Sequence, residues 1–167
     1  MRRIAAGTES RIDEMDGQIA AMLRNKLQGL EIRGVDNENI SAISPEKALE
    51  VRKKLDNAGL ICWSVGSPIG KIEITDDFAP HLDQFRRTLD NARILGAANM
   101  RIFSFYIPQG SDPLVYRDEV LSRMTKLLDA AKGSGVKLCH ENEKGIYGDI
   151  AERCYKLHAA LPAFKGV

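Results

Sequence analysis

Predicted strands and helices alternate along the whole sequence, and this alternation restricts the fold more than any other feature. Short β-rich runs occur at residues 3–7, 30–33, 60–66, 99–105 and 136–141. Helical periodicity occupies residues 12–27, 45–58, 78–92, 114–131 and 150–160. A strand and its helix together take about 30 to 40 residues, the size of a βαβ crossover. The pattern therefore predicts an α/β fold in which helices pack on a parallel sheet.

Capping signals mark the ends of the predicted helices. Ser44 and Asp112 each precede a proline, which combines a side-chain acceptor for free amides with a residue suited to the first turn. Asp149 and Glu152 predict a capping box before the last helix. The expected stops are Gly29, Gly59, Gly96 and either Gly133 or Gly135. Because no repeat or low-complexity linker interrupts these signals, we expect residues 1–167 to form a single domain.

Two architectures are compatible with this alternation. Five units suit an open doubly wound sheet in length, since a complete barrel of eight units takes about 250 residues. The strand chemistry favours a barrel, because Glu31 and Arg33 alternate with Leu30 and Ile32. Polar side chains inside central strands suit a barrel lumen better than an open sheet that is buried on both faces.

Composition excludes several classes of protein. Lys and Arg total 24 against 23 Asp and Glu, so the net charge of +1 leaves no basic footprint for nucleic acid. No apolar run approaches the ~20 residues of a membrane span, and no export signal follows Met1. The cysteines, Cys62, Cys139 and Cys154, lack the spacing of a disulfide framework or a zinc knuckle. We therefore expect a cytoplasmic protein with neither a membrane nor a nucleic-acid partner.

The segment 140–145 follows the fifth predicted strand and is the strongest candidate site. Parallel α/β folds handle ligands at the carboxyl ends of their strands. A carboxylate at that position, Glu141, can hold a divalent cation or move a proton, and Asn142 and Glu143 can hydrogen-bond substrate hydroxyls. The alternative interpretation is a charged, solvated loop. His140 precedes Glu141 and is expected to point away from the lumen as a packing residue.

The segment 66–71 follows the third predicted strand. Its glycines, together with Ser67 and Lys71, would let a phosphate approach, although the spacing matches neither nucleotide-binding fingerprint. The alternative is a rigid turn.

Two further groups of polar residues lie within the predicted strands. Glu31 and Arg33 share a strand face, where they either pair with each other to fill the lumen or contact a substrate. Arg101 shares a face of the fourth strand with Phe103 and Phe105, and the two rings are expected to form core or pocket wall.

Taken in order, these motifs resemble the sugar phosphate isomerase/epimerase family, the xylose isomerase-like TIM barrels. The residues that carry the resemblance are Leu30-Glu31-Ile32-Arg33, Gly66-Ser67-Pro68-Ile69-Gly70-Lys71, Leu95-Gly96-Ala97, Arg101-Ile102-Phe103-Ser104-Phe105-Tyr106 and the segment 140–149. The resemblance covers essentially the whole chain but only the first five units of the family's barrel. It implies a partial (β/α) barrel that is open rather than closed.

The same resemblance implies a chemistry: metal-assisted proton transfer between carbons of a sugar or polyol. A divalent metal (manganese, magnesium, cobalt or zinc) would be held at the top of the barrel, with Glu141 as its first ligand and also as acid/base catalyst. The expected substrate is a sugar or sugar phosphate. Its expected contacts are Glu31, Arg33, Ser67, Lys71, Arg101, Asn142 and Glu143.

Residues 163–167 resemble the opening of the family's sixth strand, so strands six to eight and their ligands are expected to be missing. An incomplete barrel leaves its first and fifth strands unpaired, and we expect a homodimer through these edges. Two alternatives to the isomerase hypothesis stay open. One is a non-catalytic truncated remnant that associates or binds weakly; a more distant one is an endonuclease-IV-like phosphodiester hydrolase.

Overall fold

The computed structural model describes the backbone of residues 4–5 and all of residues 14–161. Its strands are β1 (Ile4–Ala5), β2 (Gly29–Ile32), β3 (Gly34–Val35), β4 (Glu38–Asn39), β5 (Ile61–Val65), β6 (Asn99–Ile102) and β7 (Lys137–His140). Five of them form a parallel sheet in the order β1-β2-β5-β6-β7, and β3 pairs with β4 as an antiparallel hairpin. Within the described residues β1 and β7 lie at opposite edges of the sheet. The expected open, partial barrel is confirmed.

Four helices lie between successive strands of the parallel sheet, and a fifth follows the last described strand. They are α1 (Met15–Arg24), α2 (Pro45–Asn57), α3 (Phe78–Leu95), α4 (Arg117–Ala131), which follows a short 3-10 turn at Pro113–Tyr116, and α5 (Ala151–Ala160). None of the helices in the described part of the chain is both long and apolar enough to cross a membrane.

The predicted helix caps are found at two of three positions. The side chains of Ser44 and Asp112 accept hydrogen bonds from backbone amides of the following turn. The predicted capping box before α5 is wrong, because α5 begins after Ile150 without a side-chain cap. Asp149 instead forms an ion pair with Arg153, one turn along the helix, and this pairing takes up the carboxylate that a cap would use.

The helix-covered face of the sheet forms the core. Ile32, Val65, Met100 and Ile102 are fully buried there and pack in one apolar cluster. Residues that alternate with these in the strands face the concave side of the sheet. The alternation changes register once, because the pairing moves from Leu30–Cys62 to Glu31–Ser64 and leaves an extra residue, Trp63, in β5.

The fourth strand is shorter than predicted, since β6 ends at Ile102 and the expected run extended to residue 105. The backbone amides of Phe103 and Phe105 bond to the carbonyls of the turn that follows β5, and Phe105 has a φ of 66°. This left-handed residue reverses the alternation. The expected shared face of the two rings is therefore wrong: Phe105 packs edge-on against Phe78, while the Phe103 ring lies beside Arg101.

Several predictions fall on other parts of the chain. The outer residues of the first predicted strand, the start of the first predicted helix and the segment 163–167 lie outside the described residues.

Candidate functional site

Three loops meet at the carboxyl edge of the sheet, following β5, β6 and β7. Backbone bridges pair Tyr106 with Glu73 on one side and with Ile146 on the other. The loops therefore form one surface, and most of the side chains that the sequence singled out lie on it.

Arg101 lies at the centre of this surface, between two carboxylates. Its Nη1 is 3.3 Å from Oε1 of Glu31 and 3.2 Å from Oε2 of Glu141, and its Nη2 donates to the carbonyl of Gly66 at 3.1 Å. The exposed fraction is 13% for the Arg101 side chain, 20% for Glu31 and 45% for Glu141. The guanidinium is thus fixed below the surface, and Glu141 keeps an oxygen-bearing edge open to solvent.

Gly66 is what allows Arg101 to reach Glu31. It follows β5, which separates β2 from β6, so the salt bridge crosses over an intervening strand. A Cβ at position 66 would lie 2.6 Å from Oε1 of Glu31 and 2.7 Å from Cγ of Arg33. The missing side chain leaves the space through which the two charges meet. Arg33 and Glu31 both lie next to Gly66, on the strand face where both were expected. The carboxylate of Glu31 is bonded to Arg101.

Lys71, Tyr106 and Glu143 form a second polar cluster. Nζ of Lys71 is 2.6 Å from one oxygen of Glu143, and the Tyr106 hydroxyl donates to the other at 3.0 Å. Nζ of Lys71 also lies 4.3 Å above the centre of the Phe103 ring. The bond to Lys71 lowers the pKa of the Glu143 carboxyl, whereas burial, followed by the neighbouring Glu143, raises the pKa of the Tyr106 phenol.

Tyr106 was not among the residues that the sequence predicted to contact substrate. It was visible only as the last residue of the aromatic run 101–106, where nothing indicated that its hydroxyl would bond to Glu143. The reversal at Phe105 turns this side chain toward the loop after β7.

Two other predicted substrate contacts, Ser67 and Asn142, lie outside both polar clusters. The Ser67 side chain is fully buried, where its hydroxyl bonds to the Arg101 carbonyl and accepts from the Ile69 amide. Asn142 is exposed on the loop after β7. The segment 66–71 thus has the rigid turn that was the alternative interpretation. At Gly70, with a φ of 91°, a Cβ would lie 2.0 Å from the Phe103 carbonyl oxygen.

His140 lies on the opposite side of β7 from Arg101 and Glu141. Its Nε2 is 3.0 Å from the hydroxyl of Ser104, which also accepts the Gly148 amide at 2.8 Å. Burial lowers the pKa of His140 to about 4, with a smaller repulsive contribution from His158. The side chain is therefore a neutral part of the packing, at the base of the loop that carries Glu141 and Glu143.

The described residues do not fit the divalent metal that the family resemblance implies. Across residues 14–161, no three His, Cys, Asp or Glu side chains come together as a metal would require. The carboxylate expected as first ligand, Glu141, is bonded to Arg101. A lone carboxylate is a weak ligand for such ions.

Together, the parallel sheet and the polar groups at its carboxyl edge are typical of a (β/α)-barrel type of protein with a candidate site at the top of the strands. Residues 19–162 match the family model described as xylose isomerase-like TIM barrel. The chain belongs to this family. A search of curated protein sequences gives no significant match.

Solved structures with the same fold include an epimerase, an epimerase-like protein and a protein with bound zinc. One is 3-keto-D-glucoside 4-epimerase, YcjR, from E. coli, with 12% identity and a TM-score of 0.72 over 95% of this chain and 64% of that one. A second is a D-tagatose 3-epimerase-like protein, with 16% identity and a TM-score of 0.72 over 94% and 60%. A third is the IOLI protein with a bound zinc atom, with 11% identity and a TM-score of 0.74 over 97% and 59%.

At these identities the likeness concerns the fold. The chain spans about three fifths of the length of each of the three structures.

Proposed function

We propose that this chain forms the substrate-binding part of a sugar isomerase or epimerase, in which Glu141 moves a proton between carbons of a sugar or polyol. The observation that carries the proposal is the position of Glu141. It is half exposed at the carboxyl edge, with Arg101 on one side and the cluster of Lys71, Tyr106 and Glu143 on the same surface. The epimerases that share the fold support a sugar as substrate.

The proton transfer uses a carboxylate base and nearby positive charge. Glu141 takes the proton from the carbon next to the substrate carbonyl, and the electron pair of the broken C–H bond forms an enediolate. The developing negative oxygen is stabilised by the guanidinium of Arg101 and the ammonium of Lys71. Return of the proton from Glu141 to the former carbonyl carbon, while the adjacent hydroxyl passes its proton to the carbonyl oxygen, gives the isomer. Delivery of a proton from solvent to the opposite face of the enediolate gives the epimer.

Substrate contacts follow from the same geometry. We expect Glu31, Arg33, Asn142 and Glu143 to bond sugar hydroxyls, and the positive charges of Lys71 and Arg101 to suit a phosphate where the sugar carries one. We leave Ser67 out of this set because its hydroxyl is buried and engaged by backbone. A metal contribution through Glu141 is part of the family expectation. The described residues do not fit a metal, so the steps above use only the side chains of this chain.

The test is exchange of carbon-bound hydrogen with solvent. The full chain is incubated in D2O with D-tagatose, D-fructose or the 6-phosphate of either, and deuterium incorporation is followed by NMR. We expect slow deuterium incorporation at the carbon next to the carbonyl. Glu141→Gln should abolish this incorporation. Glu38→Gln, in the exposed hairpin, is the matched control and should leave the rate unchanged. No exchange by the wild-type chain, or equal exchange in Glu141→Gln, would overturn the proposal.

A second candidate is a non-catalytic protein that binds sugars. The observation in its favour is the Arg101 salt bridge, which occupies one Glu141 oxygen. This candidate predicts a saturable change in the fluorescence of Trp63, the single tryptophan of the chain, together with no deuterium incorporation. Trp63 is a suitable probe because its Cβ lies beside Gly29 on the concave side of the sheet and its side chain is 40% exposed.

The expected homodimer is also a proposal. Among the described residues, β1 and β7 each pair with a strand on one side only, and we expect a second copy to bond the other side. Light scattering after size-exclusion chromatography distinguishes the mass of one chain from that of two, and a single-chain mass at high protein concentration would contradict the proposal.

A further inference from the structure

Arg101 has a property that the proposed proton transfer does not use. One of its nitrogens, Nη1, lies within 3.3 Å of a carboxylate oxygen from Glu31 and of one from Glu141. The two acids come from strands that do not pair with each other, β2 and the end of β7. A single positive charge therefore stands at the point where two separate negative groups converge.

The guanidinium is held in this position by the surrounding structure. Its Nη2 donates to the Gly66 carbonyl, the Phe103 ring packs beside it at 5.2 Å, and only 13% of the side chain is exposed. Gly66 leaves the space that the side chain crosses. Because arginine does not lose its proton in proteins, this charge is present at every physiological pH.

We propose that Arg101 is the resident cation of this edge. Its guanidinium occupies the position between Glu31 and Glu141 that a divalent ion would otherwise take, and so it keeps such ions out of the described site. The proposal goes beyond the proposed function, since it concerns which cation the two carboxylates hold. It stands whether or not Glu141 moves a proton.

The physical argument rests on charge and ligand type. Two carboxylates that converge on one point repel each other when no cation separates them, and hard divalent ions such as Mn²⁺ prefer such oxygens. The guanidinium hydrogen-bonds to both acids and reduces their combined charge from two negative charges to one, which weakens the attraction of the pair for an ion. Replacing Arg101 with a neutral side chain should therefore convert the pair into a metal site.

The experiment is a Mn²⁺ titration of the full chain, followed by the loss of the free-ion EPR signal. Wild type should bind Mn²⁺ negligibly, and Arg101→Met should bind it about tenfold more tightly or better. The gain should vanish in the double variant Arg101→Met/Glu141→Gln, because one of the two acids has been removed. Arg86→Met, which removes an exposed arginine from a surface pair on α3, is the matched control and should behave like wild type.

Two further measurements keep the result decisive. Near-UV circular dichroism establishes that each variant is folded, and Arg101→Gln and Arg101→Lys replace Arg101→Met if that variant unfolds. The neutral Gln should gain Mn²⁺ binding, and the charged Lys should not.

Wild-type binding that Glu141→Gln abolishes would overturn the proposal, as would folded neutral variants that gain nothing. These readouts do not depend on hydrogen exchange, so a failed isomerase assay leaves them intact.

Discussion

The two faces of the same parallel sheet differ sharply in chemistry. On the helix-covered face, Met100 and Ile102 are fully buried among other apolar side chains. On the concave face, the alternate residue Arg101 forms ion pairs with Glu31 and Glu141, all three of which keep some exposure. A single strand thus contributes both to the core and to the site.

The difference shows that alternate residues of one strand serve different purposes: one set stabilises the fold and the other set supplies charged groups. The covered face gains its stability from removing apolar surface from water. The concave face holds charges that keep partial contact with solvent, because burying ions completely costs more than a salt bridge returns. Substitutions on the first face should therefore act on stability, and those on the second should act mainly on chemistry.

The largest effect on folding is expected on the covered face. Met100→Ala should lower the free energy of unfolding by about 2–5 kcal/mol, because it leaves a cavity in a closed core. Trp63→Ala, on the concave side, removes a larger side chain but should cost less than Met100→Ala, since that side chain is 40% exposed and its loss leaves no closed cavity. Urea unfolding measures both, and equal losses would show that the faces do not differ in this way.

His140 extends the comparison to pH, since it lies on the packed side of β7 and its neighbour Glu141 on the other. Its pKa in the folded protein is about 4, against an ordinary value of 6.5, so the unfolded chain binds the proton first as the pH falls. Stability should therefore drop by about 2 kcal/mol between pH 6.5 and pH 5.

His140→Gln should remove this part of the pH dependence. The control is the imidazole titration followed by NMR in the wild-type protein. A midpoint near the ordinary value would contradict the expected burial.

Substitution of Gly66 tests whether the open space at this position is needed for Arg101 to reach Glu31. Gly66→Ala should push Glu31 away from Arg101, reduce any hydrogen-exchange activity and cost about 1–3 kcal/mol through overpacking. In a Glu31→Ala background the same substitution should cost less, because one of the two clashing groups is gone. Additive losses in this double-mutant cycle would place the strain elsewhere.

The smallest effect is expected from the ion pair of Lys71 and Glu143. The lowered pKa of Glu143 means that the pair stabilises the fold above the ordinary carboxyl value of 4.5, and that this contribution is lost as the pH falls through the lowered pKa. Glu143→Gln should cost up to about 1 kcal/mol at pH 7 and less at pH 3. Urea unfolding at both pH values tests this, and Lys71→Met should give the same pattern. An equal loss at pH 3 would point to packing instead of charge.

Much of the fold was predictable because it depends on local patterns. The alternation of Leu30 and Ile32 with Glu31 identified the concave face, and Ser44 and Asp112 marked helix starts that the structure has. The hairpin of β3 and β4 was missed, although Asp36-Asn37 is a suitable two-residue turn. Both residues have positive φ values, as a type I′ turn requires.

The site was predictable only as a location. The sequence placed Glu141 at a strand end and Glu31 and Arg101 within strands, but which charges pair depends on distances between strands that are far apart in sequence. Glu31 and Arg33 share a strand face, and the sequence left open whether they pair with each other or contact a substrate. The structure has Arg101 bonded to Glu31, because Gly66 leaves the way across β5 open. Such a contact is set by the absence of a side chain, which no periodicity reveals.

The reach of Arg101 across β5 also bears on how the barrel units move. Glu31 and Glu141 belong to strands that share no backbone hydrogen bond, yet they hold the same guanidinium. A ligand that draws Arg101 toward itself would release the upper ends of both strands at once. Amide hydrogen exchange at the carboxyl ends of β2 and β7 should then rise together. The two strand ends would open as one cooperative element and not independently.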